Sequence, residues 1–247
     1  VSPSIYDIKT IQYIYGMTPN LNGGDNNYIF SGPVFTTIYD TGGQDTIDLS
    51  SYSLNTTLDL TPGSVSYIGT EEIRVSLYQQ PHANDYEYGY TGFPISIAED
   101  TIIEDAITGS GDDTITCNIA VNSITCGLGD DTVYAISTDD SIYGGGGDDW
   151  FYISEANFAI IEGGTGNDSL LLKDIGSSFN LSDFTDAQIT GIENIDIQWG
   201  SATLLTLTKQ SILALNGEIK FDLDGDDDDD YVTWILGDSG QDNILLN

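Results

Sequence analysis

Basic residues are almost missing from this chain of 247: five (Lys9, Arg74, Lys173, Lys209, Lys220) face forty acids, for a net charge of −35. Nothing here could displace counterions from a phosphate backbone or hold to an anionic lipid surface, which excludes both as partners. Long apolar runs are missing too. None approaches the roughly 18 residues of a membrane-spanning helix. The opening residues, Val1-Ser2-Pro3-Ser4, lack the basic and apolar regions of a cleavable signal peptide. Histidine occurs once, at His82. A three-histidine zinc site cannot be built, and a Ser-His-Asp triad would depend on that one residue. Its setting, Gln80-Pro81-His82-Ala83-Asn84-Asp85, reads as an exposed loop. Cysteine occurs twice, at Cys117 and Cys126.

What is abundant is aspartate. The acids are 31 Asp and 9 Glu, whereas a general solubility bias would spread over both. Hydrophobic content of 39 % with 26 aromatics can fill a core, so the charge does not imply disorder. Self-repulsion on this scale opposes compaction unless salt screens it or bound cations neutralise it. Short Asp side chains beside Gly in turns suit a hard cation with oxygen ligands, so Ca2+ is the cofactor to look for.

An internal repeat carries the argument further. Gly109-Ser110-Gly111-Asp112-Asp113-Thr114-Ile115 aligns with Gly127-Leu128-Gly129-Asp130-Asp131-Thr132-Val133. Gly145-Gly146-Gly147-Asp148-Asp149-Trp150-Phe151 and Gly164-Thr165-Gly166-Asn167-Asp168-Ser169-Leu170 follow in phase. The second acidic position recurs at 113, 131, 149 and 168, at spacings of 18, 18 and 19. This is the G-G-x-G-x-D-x-U-x nonapeptide of calcium-binding RTX β-helices. Plain Gly-Asp turns would not hold phase over four copies. The intervening nonapeptides are degenerate, with Asn122 and Asp140 at the acidic position and Ile124 and Ile142 at the apolar one. The stretch 153–162 holds ten residues where nine are expected, which predicts a bulge near Asn157.

In such a coil six residues turn and three form a short strand, so eighteen complete one circuit. Glycine frees the turn carbonyls to face an ion, and stacked turns each add a carboxylate. The predicted ligands on this reading are Gly109, Gly111, Asp113, Asn122, Cys126, Gly127, Leu128, Gly129, Asp131 and Asp140. They continue with Gly144, Gly145, Gly146, Gly147, Asp149, Gly163, Gly164, Thr165, Gly166 and Asp168, enough for several ions. Without cations the carboxylates would stack at the strand spacing of about 4.8 Å, which couples metal binding to folding. Residues 115, 124, 133, 142, 151 and 170 should point inward. Cys117 and Cys126 lie one nonapeptide apart, hence at opposite edges about 10 Å from each other, beyond the ~7 Å Cα limit of a disulfide. They should be free thiols.

Upstream of the repeat the chain resembles a known family. Asp7-Ile8-Lys9-Thr10-Ile11-Gln12-Tyr13-Ile14-Tyr15-Gly16 is similar to the helix that ends the protease domain of serralysin-type metalloproteases. It places Ile8, Ile11 and Tyr15 on one face and stops at Gly16. Residues 24–30 and 35–50 resemble the two segments that follow there, and Ile103-Glu104-Asp105-Ala106-Ile107 leads into the first nonapeptide as it does in that family. The likeness runs over about residues 5–172 and is looser between 66 and 93. It implies a calcium-binding β-roll packed on a β-sandwich, placed after a catalytic domain and exported through a type I secretion channel. It also implies a first calcium site from Asn22, Gly24 and Asn26 with Asp40, Gly42, Gly43 and Asp45, and Glu104 closing the first site of the coil. The family commonly has Arg and Thr where Asn22 and Asn26 stand, a change that carbonyl ligands survive. The zinc motif H-E-x-x-H-x-x-G-x-x-H is absent, so this chain itself is read as non-catalytic. It is either part of a longer zinc metalloprotease or the same module carried by another exported protein.

From about residue 173 the pattern changes. An alternating strand (202–207) and a short helix (209–217) precede Asp222, Asp224 and Asp226, whose spacing can surround one calcium or form a solvated acidic loop. Residues 237–245 echo the nonapeptide once, and Ile244-Leu245-Leu246 suits a type I secretion tail if Asn247 is a natural end.

The expected fold is all-β: a parallel β-roll flanked by antiparallel β-sandwich strands, with short helices. The expected parts are a sandwich-like part with an N-terminal helix (1–104), the β-roll (105–172) and a β-rich cap (173–247). The expected function is a secreted or cell-surface calcium-binding module that folds after export, with calcium and the type I secretion machinery as partners. The alternatives are a structural surface protein stiffened by calcium and an accessory module of a polysaccharide lyase or epimerase. Tyr134 and Tyr152, with Trp150, should share one outward face. The chain's own flanking strands cover that face, or it docks an upstream catalytic domain or a neighbouring copy.

Overall fold

The computed structural model describes residues 3–15, 22–76, 86–135, 137–154, 158–173, 178–180, 188–198, 204–206, 218–219 and 243–244. The features expected at Gly16, His82, Asn157, residues 209–217, Asp222, Asp224, Asp226 and Ile244-Leu245-Leu246 fall wholly or mostly outside them.

Helix α1 (Ile5–Tyr15) begins at a reciprocal cap. Ser4 Oγ accepts from the Asp7 N–H, and Asp7 Oδ2 accepts from the Ser4 N–H and hydroxyl. The half-buried face is Ile5, Ile8 and Gln12. Ile11, expected on the packed face, is 54 % exposed, because the helix touches the body along the i, i+3, i+7 row from Ile5. An exposed Lys9–Glu99 ion pair joins it to the body.

Two sheets build that body. One runs in the order β1 (Asn27–Ile29), β3 (Thr46–Asp48), β7 (Asp105–Ile107), β9 (Ser123–Leu128), β11 (Ser141–Gly146), β13 (Ile160–Thr165) and β16 (Ile189–Thr190), all parallel. The other contains β2 (Thr36–Ile38), β4 (Asn55–Asp59), β5 (Val65–Ser76), β6 (Tyr86–Ile97) and β8 (Thr114–Thr116). It continues with β10 (Thr132–Ala135), β12 (Trp150–Ile153), β14 (Ser169–Lys173), β17 (Asn194–Gln198) and β19 (Glu218–Ile219). A small third sheet joins β15 (Ser178–Asn180), β18 (Leu204–Thr206) and β20 (Asn243–Ile244).

The inward rows match the repeat. Ile47, Ala106, Ile124, Ile142 and Ile161 are in register on one sheet and fully buried. Leu58, Ile115, Val133, Phe151, Leu170 and Ile195 face them from the other. Each such side chain contributes roughly 1.5–3 kcal/mol by leaving water. Cys117 and Cys126 are buried in this core as free thiols, as their spacing predicts.

The coil is longer than the nonapeptides. β3 pairs in parallel with β7, and β4 with β8, so both sheets run through residue 104 without a break. Antiparallel pairing among the described strands is confined to β4–β5–β6 and β18–β20. The period is hidden upstream because the β5–β6 hairpin is inserted into the circuit between β4 and β7.

Candidate metal centre

One edge of the coil carries a ladder of aspartates. The Thr56 N–H donates to Asp113 Oδ1 (2.6 Å), the Asp113 N–H to Asp131 Oδ1 (2.7 Å) and the Asp131 N–H to Asp149 Oδ1 (2.9 Å). The Asp149 N–H donates to Asp168 Oδ1 and the Asp168 N–H to Glu193 Oε2, both at 2.9 Å. A side chain as short as Asp can bridge one strand spacing only from a tight turn, which is why the acid sits directly before each strand.

This arrangement uses one oxygen of each carboxylate and strands the other. Oδ2 of Asp131, Asp149 and Asp168 is buried with no hydrogen-bond partner. Burial, with Asp113, Asp149 and Asp112 as like charges beside it, pushes the Asp131 carboxyl up to about 8. Burial and neighbouring acids likewise push Asp149 up to about 7 and Asp168 to about 6. A buried carboxylate oxygen without a donor costs several kcal/mol unless a cation meets it.

Carbonyl oxygens converge on the same places. A Cβ at Gly144 would lie 2.2 Å from Asp149 Oδ2 and 2.5 Å from the Gly163 carbonyl oxygen, so only glycine fits there. Among the described residues no three His, Cys, Asp or Glu side chains converge on one point. At Asp149 and Asp168 the stranded carboxylate oxygen instead lies beside the next turn's main-chain carbonyl, a donor set that fits a hard divalent cation and not zinc. The glycines and carbonyls named in the sequence reading (Gly109, Gly111, Cys126, Gly127, Leu128, Gly129, Gly145, Gly146, Gly147, Gly164, Thr165 and Gly166) lie in these same stacked turns. The Cys126 thiol is buried in the core, and its carbonyl accepts from the Thr108 hydroxyl at 2.7 Å.

The opposite edge differs. Asn122 and Asp140 are in phase and buried, but protein groups meet their polar atoms. Asn122 Nδ2 donates to the carbonyls of Ile103 and Glu104, and its Oδ1 accepts from the Asn118 N–H. Asp140 accepts from the N–H groups of Asn122 (2.8 Å) and Ser137 (3.4 Å). No stranded oxygen remains at either residue.

The residues that family likeness implies for a first site lie close together. Asn26 Nδ2 donates to the carbonyls of Asn22 and Gly24 and to Asp40 Oδ2, so three oxygens converge on one amide nitrogen. Gly42 N–H and Tyr28 Oη also donate to Asp40. Gly43, at φ +144°, packs so closely on Gly24 that a Cβ would lie 2.5 Å from its carbonyl. Asp45 accepts from the Asn26 N–H, its own N–H donates to Glu104 Oε2, and its Oδ2 is stranded. Glu104 therefore closes the turn on Asp45.

A family model described as Peptidase M10 serralysin C terminal matches residues 6–85. The chain resembles the serralysin C-terminal domain. Serralysin G of Dickeya chrysanthemi is 32 % identical over 133 residues, covering 48 % of this chain and 24 % of that protein. A serralysin of Proteus mirabilis is 30 % identical over 137 residues (50 % and 24 %), and the metallopeptidase AprA of Pseudomonas marginalis 30 % over 136 (49 % and 24 %). The chain thus spans about a quarter of the length of the relatives it matches. The serralysin likeness lies in their C-terminal, non-catalytic part.

Sequence reasoning missed Thr56, Asn118, Gly191 and Glu193. The signal for Glu193 is its phase: Glu193-Asn194-Ile195 repeats Asp168-Ser169-Leu170, with Ile195 in register with Leu170.

Proposed function

We propose that this chain is a calcium-binding module of a serralysin-like secreted protein, folding where calcium is plentiful, after export by a type I route. The observation that carries the reading is the row of stranded oxygens at Asp131, Asp149 and Asp168, with the next turn's carbonyl beside the last two. Calcium supplies the positive charge that this edge lacks; the chain's own part is to hold the oxygens at strand spacing in a dry edge. With a net charge of −35, the calcium-free chain repels itself, which loosens the fold and suits passage through a channel. Likeness to the serralysins supports an extracellular location, and among the described residues no helix is long and apolar enough to cross a membrane. Far-UV circular dichroism of the whole chain with calcium and with chelator tests the reading. The expected result is a weaker strand signal and a lower melting temperature on chelation, reversed by calcium and not by equimolar magnesium. An unchanged melt would overturn it.

A further inference from the structure

The nonapeptide pattern ends at Asp168, but the oxygen cluster does not. A Cβ at Gly144 would meet Asp149 Oδ2 and the carbonyl of Gly163 in the next turn. A Cβ at Gly163 would meet Asp168 Oδ2 at 2.4 Å and the carbonyl of Gly191 at 1.9 Å. The same pair, a stranded carboxylate oxygen and the next turn's carbonyl, is therefore built a second time by a turn outside the repeat. Asp168 is fully buried and its Oδ2 has no partner.

That outer turn, Thr190-Gly191-Ile192-Glu193, has no Gly-x-Gly, and Gly191 stands three residues nearer its acid than the equivalent Gly163 does. Gly191 adopts φ +62°, and the longer reach of Glu brings Oε2 within 2.9 Å of the Asp168 N–H, where an Asp stands in each repeat turn. A similar pairing occurs on the coil's opposite edge, where the Asp45 N–H donates to Glu104 Oε2 and Asp45 Oδ2 is stranded. We infer that Asp168, the Gly191 carbonyl and Glu193 form a terminal site for a hard divalent cation, calcium, one turn beyond the last nonapeptide. It closes the acidic edge electrically, where a bare end would leave Asp168 facing Glu193 uncompensated. This rests on the calcium reading above.

Counting bound calcium by native mass spectrometry on the full chain tests it, with Glu193→Gln as the variant. Gln keeps an acceptor for the Asp168 N–H and removes only the charge. The expected result is one ion fewer than wild type at the same free calcium, with unchanged far-UV dichroism at saturation. Wild-type binding with an identical count in Glu193→Gln would overturn the terminal site and leave Glu193 as a hydrogen-bonding cap. No calcium on wild type would overturn the wider reading instead. If Glu193→Gln fails to fold in calcium, anomalous diffraction from wild-type crystals decides: a calcium peak touching Asp168 Oδ2 and the Gly191 carbonyl supports the site, and its absence rejects it.

Discussion

The Asp149 N–H donates to Asp168 Oδ1 at 2.9 Å, and by holding that oxygen it leaves Asp168 Oδ2 buried with no donor. The relationship repeats up the edge, so a chain without cations is strained along one line.

Asp131→Asn should have opposite effects with and without calcium. Asn keeps the acceptor for the Asp113 N–H and removes a buried charge. In chelator the variant should melt higher than wild type, by the order of 1–3 kcal/mol. In saturating calcium it should melt lower, because a ligand is lost. Calorimetry under both conditions checks the sign reversal.

The pH dependence follows from the raised carboxyls. Asp168, Asp149 and Asp131 move from an ordinary 3.8 to about 6, 7 and 8 in the fold, chiefly through burial. Their charged forms are disfavoured by folding, so their stabilisation is present below the unfolded value and is lost as pH rises through the folded ones. In chelator the melting temperature should fall between about pH 4 and pH 8 and then level off. With excess calcium the slope should reverse, since protons compete for the same oxygens. Melts across that range with both additives would expose an error in either sign.

Both thiols should resist modification. Cys117 and Cys126 are buried, unpaired and raised well above the ordinary thiol value by burial. A maleimide reagent should label neither in the calcium-loaded protein and both after chelation with denaturant. Fast labelling of the folded form would contradict the core described here.

On the outer face of β10 and β12, Tyr134 and Tyr152 stack with ring centroids 4.8 Å apart and planes 21° apart, and Tyr134 and Trp150 remain 38 % and 47 % exposed. Flanking strands therefore do not bury this face. Tyr134→Ser should cost about 0.5–1.5 kcal/mol, the value of the ring pair, and not the 3 kcal/mol or more of a core aromatic. Calcium-loaded melts of the single variant measure this.

Much of this was readable from residue spacing. The inward row from Ile115 to Leu170 and the phase of Asp113, Asp131, Asp149 and Asp168 follow from the eighteen-residue circuit, because each turn repeats the same geometry. The extension to β3 and β4 was not readable, since the β5–β6 hairpin breaks the period without breaking the sheets. The two edges were also indistinguishable by phase alone. Asn122 is satisfied by the Asn118 N–H four residues before it and by the carbonyls of Ile103 and Glu104. Glu193 escaped for a related reason: a shorter turn with a longer acid reaches the same point as Gly-x-Gly-x-Asp.

Long-wavelength anomalous diffraction from crystals grown in calcium tests the central claim most directly. The account predicts calcium peaks about 2.3–2.6 Å from Oδ2 of Asp131, Asp149 and Asp168. It predicts none at Asn122 or Asp140, whose polar atoms already have protein partners. Peaks confined to the Asn122–Asp140 edge, or none on the Asp131–Asp168 edge, would contradict it.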